Sequence, residues 1–207
     1  MNFATGYCTN VHAGANLAET LANLRQHATK VRERFSPNGP MGIGLWLSAS
    51  TAAALENEPA KIVEFTEFLN SNRLVSYTLN GFPFGDFHQA KVKHNVYLPT
   101  WMEQPRSDYT KTLIRLLDAL LPVGADGTIS TLPICWGTPT PTTTQWEQAA
   151  KQMCDVATTL QRLEDTSGRF ISLCIEPEPG CAIETSGGLV RFFEDYLLPA
   201  GDEKTVR

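Results

Sequence analysis

The 207-residue sequence contains no apolar run approaching the roughly 20 residues needed to cross a bilayer. Its opening, "MNFATGYCTN", has neither the basic nor the apolar region of a secretory leader, so a cytoplasmic location with no membrane span is expected. Positive charge is sparse. Seventeen Lys and Arg stand against 22 Asp and Glu, for a formal net charge of −5, and no basic cluster is interleaved with aromatics. A phosphate backbone would find no electrostatic footprint, which argues against a nucleic-acid partner. The five cysteines (Cys8, Cys135, Cys154, Cys174, Cys181) are odd in number and form no C-x-x-C pair. That pattern argues against a disulfide framework and a structural zinc site, and reduced thiols are the simplest reading. The first turn after a strand, "TNVHAGAN", is not G-x-G-x-x-G, and no Walker lysine follows any strand, so nucleotide binding has no motif.

What is present is an alternation of short β-rich apolar runs with longer helical segments. "GYCTNVHAG" from Gly6 is followed by Leu17, Leu21, Leu24, Ala28, Val31 and Phe35, spaced by three and four as one buried helical face. "GPMGIGLWLS" reads as a second strand. Pro59 then opens a helix with Ile62, Phe65 and Leu69 on one side. "LVSYTLNG" is the third strand, and after a long irregular stretch Ser107 is placed to cap a helix carrying Tyr109, Leu113, Leu116, Leu117 and Leu120. "GTISTLPICWG" is the fourth strand. A capping box, Thr144-x-x-Glu147, opens the next helix. "RFISLCIEPEPGC" is the fifth strand, and Leu189, Phe192, Phe193, Tyr196 and Leu197 mark the helix after it.

Five consecutive βα units imply parallel strands joined by right-handed crossovers, an α/β chain read as one domain over residues 1–207. Doubly wound sheets and (β/α)₈ barrels both begin this way. In the barrel, functional side chains gather at the C-terminal strand ends. Polar residues do collect there: Asn10 and His12, Ser48, Asn80, Ser130 and Trp136, then Glu176 and Glu178.

"YCTNVHAG", "LWLS", "YTLNGFPFGDFH", "VKHNVYLPTW", "GTISTLP" and "CIEPEPGC" together resemble the xylose-isomerase-like TIM-barrel proteins, most closely the subgroup of Ebo-type metabolite-traffic clusters. "TLNGFPFGDFH" is the most specific element. The resemblance implies an eight-stranded barrel with a divalent metal (Mg²⁺, Mn²⁺ or Zn²⁺) held at strand ends, and its fifth-strand glutamate matches Glu176. The aspartate, histidine and glutamate ligands of later strands have no counterpart. The chain therefore looks like an N-terminal fragment, a partial TIM barrel whose C-terminal half is the missing partner. An open barrel of five strands is expected to expose unpaired edges and an apolar interior.

For Glu176, a carboxylate leaving an apolar strand loses solvation unless a cation compensates, or unless a neighbouring base or loop N–H groups hold it. Glu178, between prolines, either faces solvent or takes part directly. His12 and His88 are candidate catalytic acid/base groups, with backbone-bonded loop histidines as the alternative. Asn10 and Asn80 can donate to and accept from sugar-like hydroxyls, although Asn80-Gly81 is also a turn signature. Trp46 and Trp136 can stack on a sugar face or pack in the core. Phe82, Phe84, Phe87 and Trp101 in the long loop either wall a pocket over His88 or anchor the loop, and His94 beside Lys91 and Lys93 reads as surface. Cys174 is expected to be a buried small hydrophobe, and Cys181 lacks an obvious base.

The resemblance implies a metal-dependent sugar isomerase or epimerase acting on a small hydroxy-carbonyl molecule or a secondary-metabolite precursor. A non-catalytic metabolite-binding protein on the same barrel is the alternative. A metal-dependent phosphodiesterase or endonuclease, for which abasic DNA would be the substrate, is a third reading opposed by the acidic charge.

Overall fold

The computed structural model describes residues 6–88, 93–201 and 205–206. Five parallel strands form one sheet in the order β1-β2-β3-β4-β5: β1 (Tyr7–Cys8), β2 (Met41–Trp46), β3 (Leu74–Asn80), β4 (Gly127–Thr131) and β5 (Ile171–Ile175). Each strand pairs with the next one in sequence, so the direction of winding never reverses as it does in a doubly wound sheet. The α/β class and the five strands agree with the expectation.

The helices cover one face. A continuous helix over residues 17–35 consists of α1 (Leu17–Asn23), a π-helical turn (Leu24–Ala28) and α2 (Thr29–Phe35). Then come α3 (Ala49–Asn57), α4 (Pro59–Ser71), α5 (Gln104–Leu120), α6 (Thr143–Ser167), α7 (Ser186–Phe192), a second π-helical turn (Phe193–Leu197) and α8 (Leu198–Ala200). Toward them the strands point Ile43, Leu45, Leu74, Leu79, Ile129 and Ile171, all buried. Burying alternate aliphatic side chains under helices supplies the main stabilisation of such a sheet.

The other face corrects the expectation of an apolar interior. Register places Cys8, Gly44, Thr78, Thr128 and Ser172 in one row, and Trp46, Asn80, Ser130 and Cys174 in the next. Small and polar side chains dominate these rows, with Thr128 Oγ1 donating to Thr78 Oγ1 at 2.8 Å. Cys174 is exposed, not buried, because it belongs to this uncovered face. All five cysteines are free thiols. A bulge in β3 opposite Ile43 and Gly44 turns Tyr77 across the same face, where a Cβ on Gly42 would stand 2.6 Å from Tyr77 Cε1.

Several local expectations shift. Helix α3 is an element the sequence pattern missed, capped by Ser48 Oγ, which accepts from Thr51 N–H. Ser107 is not a cap: α5 begins at Gln104, and the Ser107 hydroxyl is buried in its second turn without a partner. The capping box of α6 is Thr142 with Gln145, two residues before Thr144 and Glu147. Within "TPTPTTTQ" three threonines compete for the cap, and the one whose backbone is already extended wins. Phe35, expected on the buried stripe, is 77% exposed and is the last residue of α2.

The long connection between β3 and α5 is held down from below by Arg106, which is fully buried. Its Nε donates to Pro99 O and its Nη1 to Gly81 O, both at 2.8 Å, while the guanidinium lies over the rings of Phe84 and Tyr109. Burial without a bonded carboxylate pulls its pKa down to about 10. Trp101 is buried beside it and donates from Nε1 to Thr131 Oγ1 at 3.0 Å. Phe84 and Trp101 thus anchor the loop. The lid reading also covers residues 89–92, including Lys91, which lie outside the described residues.

Arg106→Ala removes the guanidinium donors from the buried Gly81 carbonyl and the half-buried Pro99 carbonyl, at about 1–3 kcal/mol each. The expected result is a loss of roughly 2–5 kcal/mol, read as a lower urea midpoint with an unchanged slope. A loss below about 1 kcal/mol would show that other donors replace the guanidinium.

Candidate functional site

The C-terminal edge of the sheet carries every strand-end residue singled out above, but in separate groups. At the β1 exit the chain makes a 3₁₀ turn (Thr9–Val11), and Thr9 Oγ1 accepts the Trp46 N–H at 3.1 Å, tying this turn to the end of β2. Asn10 is half-buried in the turn. His12 follows, with its Nε2 2.6 Å from the Tyr7 hydroxyl and its ring stacked on that of His27 at 3.8 Å and 10°. His88 reaches the same place from the loop after β3, where its backbone N–H donates to Asp86 Oδ1. Burial, and then the proximity of His27 and His88, hold the His12 pKa below the usual histidine range. His12 is therefore neutral at pH 7. A cavity of about 310 Å³ begins at the next residue, Ala13, and is lined in part by Glu19, Asn23, Asp86 and His88.

Trp46 is 3% exposed. Its Nε1 donates to Pro83 O at 2.8 Å, and Phe87 meets its ring edge-on at 4.7 Å. No open ring face remains for a sugar, and the tryptophan works as a post for the loop above. Asn80 and Ser130 stand side by side at the ends of β3 and β4. Asn80 Oδ1 accepts from Phe82 N–H at 3.0 Å and from Ser130 Oγ at 3.2 Å, so the turn role and the polar pairing coexist. Its amide nitrogen has no hydrogen-bond acceptor among the described residues.

Trp136 belongs to a second group. Its ring lies between His94 at 3.9 Å and Tyr97 at 5.4 Å. Glu178-Pro179-Gly180-Cys181 forms a turn in which Cys181 N–H donates to Glu178 O, with Gly180 at φ 85°. A side chain at Gly180 would drive into the Trp136 ring. The turn swings Glu178 inward. Its Oε2 lies 4.0 Å from Cys181 Sγ, and the Tyr97 hydroxyl is beside both. Cys181 therefore does have a carboxylate neighbour. Burial, then the nearby carboxylates, push its thiol up to about 11, so it stays protonated and is a poor nucleophile at pH 7. A cleft of about 180 Å³ opens here between Tyr97, Met102, Cys135 and Trp136.

Glu176 stands apart from both groups. Its backbone N–H donates to Thr131 O at 3.0 Å, continuing the ladder, while its side chain is exposed. The desolvation that would call for a cation is thus absent. Among the described residues no three His, Cys, Asp or Glu side chains gather closely enough to share an ion. Glu176 alone does not fit a resident metal, and no chemical step is assigned to one. Among the described residues no helix is long and apolar enough to cross a membrane.

Sequence reasoning passed over Tyr7, His27 and Tyr97. His27 carried a signal: it lies three residues after Leu24 and four before Val31, on the stripe that faces the sheet. Tyr97 sits in the long loop, where periodicity offers no guide.

Because His12 resists protonation when folded, the unfolded chain binds more protons below about pH 6.5. Stability should hold above that pH and fall as pH drops from there through the lowered folded value. His12→Gln should flatten this part of the urea-midpoint profile between pH 5 and 7.5. Equal slopes in both proteins would remove His12 as the cause.

Compared with models of known protein families the chain gives no match, and a comparison with curated proteins gives none either.

Proposed function

We propose that this chain is part of a (β/α)₈ barrel of the xylose-isomerase-like kind. In this reading the C-terminal strand edge binds a small hydroxy-carbonyl or sugar-like molecule and moves a proton on it. The observation that carries the reading is a half-buried His12 at the strand edge where barrel enzymes place their chemistry, tied to Tyr7, stacked on His27 and followed directly by Ala13, which lines a polar cavity together with His88. The unreversed strand order and the small, polar open face support the barrel, as do the motifs that resemble that family.

An imidazole that is neutral at pH 7 can take a proton from the carbon beside a carbonyl, and the imidazolium so formed can return it to the neighbouring carbon. The electron pair moves through an enediol and back while the hydroxyl proton passes from its oxygen to the former carbonyl oxygen, so no redox partner is needed. The Asn80 amide and the Ser130 hydroxyl offer donors and acceptors to substrate hydroxyls.

The exposed, solitary Glu176 favours a second reading, a barrel that binds a metabolite without turning it over. One experiment separates the two. The protein is incubated with a panel of aldoses, ketoses and hydroxy-ketones in D₂O, and exchange at the carbon beside the carbonyl is followed by proton NMR. Exchange that His12→Gln lowers by about 10²-fold or more supports the isomerase-like reading. Saturable binding with no exchange supports the binding protein, and neither binding nor exchange overturns both.

Metal binding by residues 1–207 is expected to be weak, with a dissociation constant of about a millimolar or higher for Mn²⁺, since one exposed carboxylate makes a poor oxygen cage. Tight stoichiometric uptake in a calorimetric titration would contradict this.

A further inference from the structure

His27 stands outside the strand edge, on the helix of residues 17–35, yet its ring is the nearest neighbour of the candidate proton-transfer group. It is carried by the π-helical turn Leu24–Ala28, in which Thr29 N–H donates to Leu24 O instead of to the carbonyl one residue later. Such a turn inserts an extra residue into the helix and re-aims the side chains around it, and π-turns occur often at functional sites. Here it lets Leu24 and Ala28 stay buried in the core while His27 lies flat on His12.

We propose that His27 is a positioning residue for His12: its ring fixes the plane of the His12 imidazole, and a proton on one ring opposes a proton on the other. Three observations carry this. The rings are 3.8 Å apart and nearly parallel, a separation at which two cations repel strongly. The Tyr7 hydroxyl occupies His12 Nε2, so the ring is held at one nitrogen and on one face, leaving Nδ1 as its other hydrogen-bonding atom. Burial raises the Tyr7 pKa, so its hydroxyl keeps its proton throughout the range in which imidazoles titrate.

The titratable groups that face the pair are Tyr7 from β1, His27 from the helix and His88 from the loop after β3. Glu19 and Asp86 line the nearby cavity, and among the described residues the charged neighbours that act on His12 are His27 and His88. Positive charge on His12 is thus opposed by these rings. The consequence for chemistry is a base held unprotonated below the pH at which a free histidine would be charged.

The coupling is testable without any substrate. Imidazole resonances of the whole 207-residue protein are followed by proton–nitrogen NMR from pH 4.5 to 8. In the wild type the His12 and His27 signals should each show two inflections, one at its own midpoint and one at its partner's. In His27→Phe, which keeps a flat ring but removes the second charge, His12 should titrate in a single step with its midpoint moved upward. A merely structural role for His27 would leave that midpoint where it was. Independent single-step titrations in the wild type overturn the proposal even if the variant fails to fold, and so does an unmoved midpoint in a folded variant. The inference uses the proposed role of His12 only for its chemical consequence. Coupled titration without turnover would sink the isomerase-like reading alone, whereas uncoupled titration with turnover would sink this inference alone.

Discussion

The arrangement depends on burial being confined to one side of a parallel sheet. When each strand pairs with the next and every crossover has the same hand, the helices must all lie on one face. Hydrocarbon is then needed only at alternate strand positions, and Ile43, Leu45, Leu79 and Ile129 supply it. The intervening positions are released from packing. They hold mostly glycine, threonine, serine and cysteine, with Trp46 and Asn80 at the exit edge, where the loop after β3 covers the tryptophan.

A second constraint acts at the strand ends. The connection from β3 to α5 is too long to be held by its own backbone, and it folds back because a buried guanidinium gathers two of its carbonyls from beneath. Trp46 and Trp101 extend the same job upward through their indole N–H groups. This loop delivers His88 to His12 on one side and Tyr97 to Trp136 and Cys181 on the other. Its anchoring residues are therefore what divide the edge into two clefts.

Much of the fold was legible because periodicity reports burial. The five strands and the helices around Leu21, Phe65, Leu113, Ala150 and Phe192 follow from apolar spacing. Helix α3 escaped because "SASTAAALEN" is rich in alanine, which favours helix without marking a face. Cys174 was misplaced because a strand residue beside leucine and isoleucine looks buried until one knows which face is covered. The site was less legible than the fold. His12, Asn80 and Glu176 were identified by position at strand ends, but whether each is buried, paired or solitary depends on loops that local pattern does not describe. The stacking of His12 on His27 joins a strand exit to a helix, and the inward turn of Glu178 depends on Trp136, 42 positions earlier in the chain.

The bulge at Tyr77 has a consequence for how the uncovered face meets its surroundings. Thr78, Thr128 and Ser172 repeat at the spacing of neighbouring strands, about 4.8 Å, and form a flat, wettable strip. Tyr77 lies across the glycines at one margin and breaks that strip, so the face is a trough with a raised rim and not a uniform plane. A second sheet laid on it in register would meet the phenol ring before the threonines, and that mismatch works against the stacking by which bare sheets grow into fibrils.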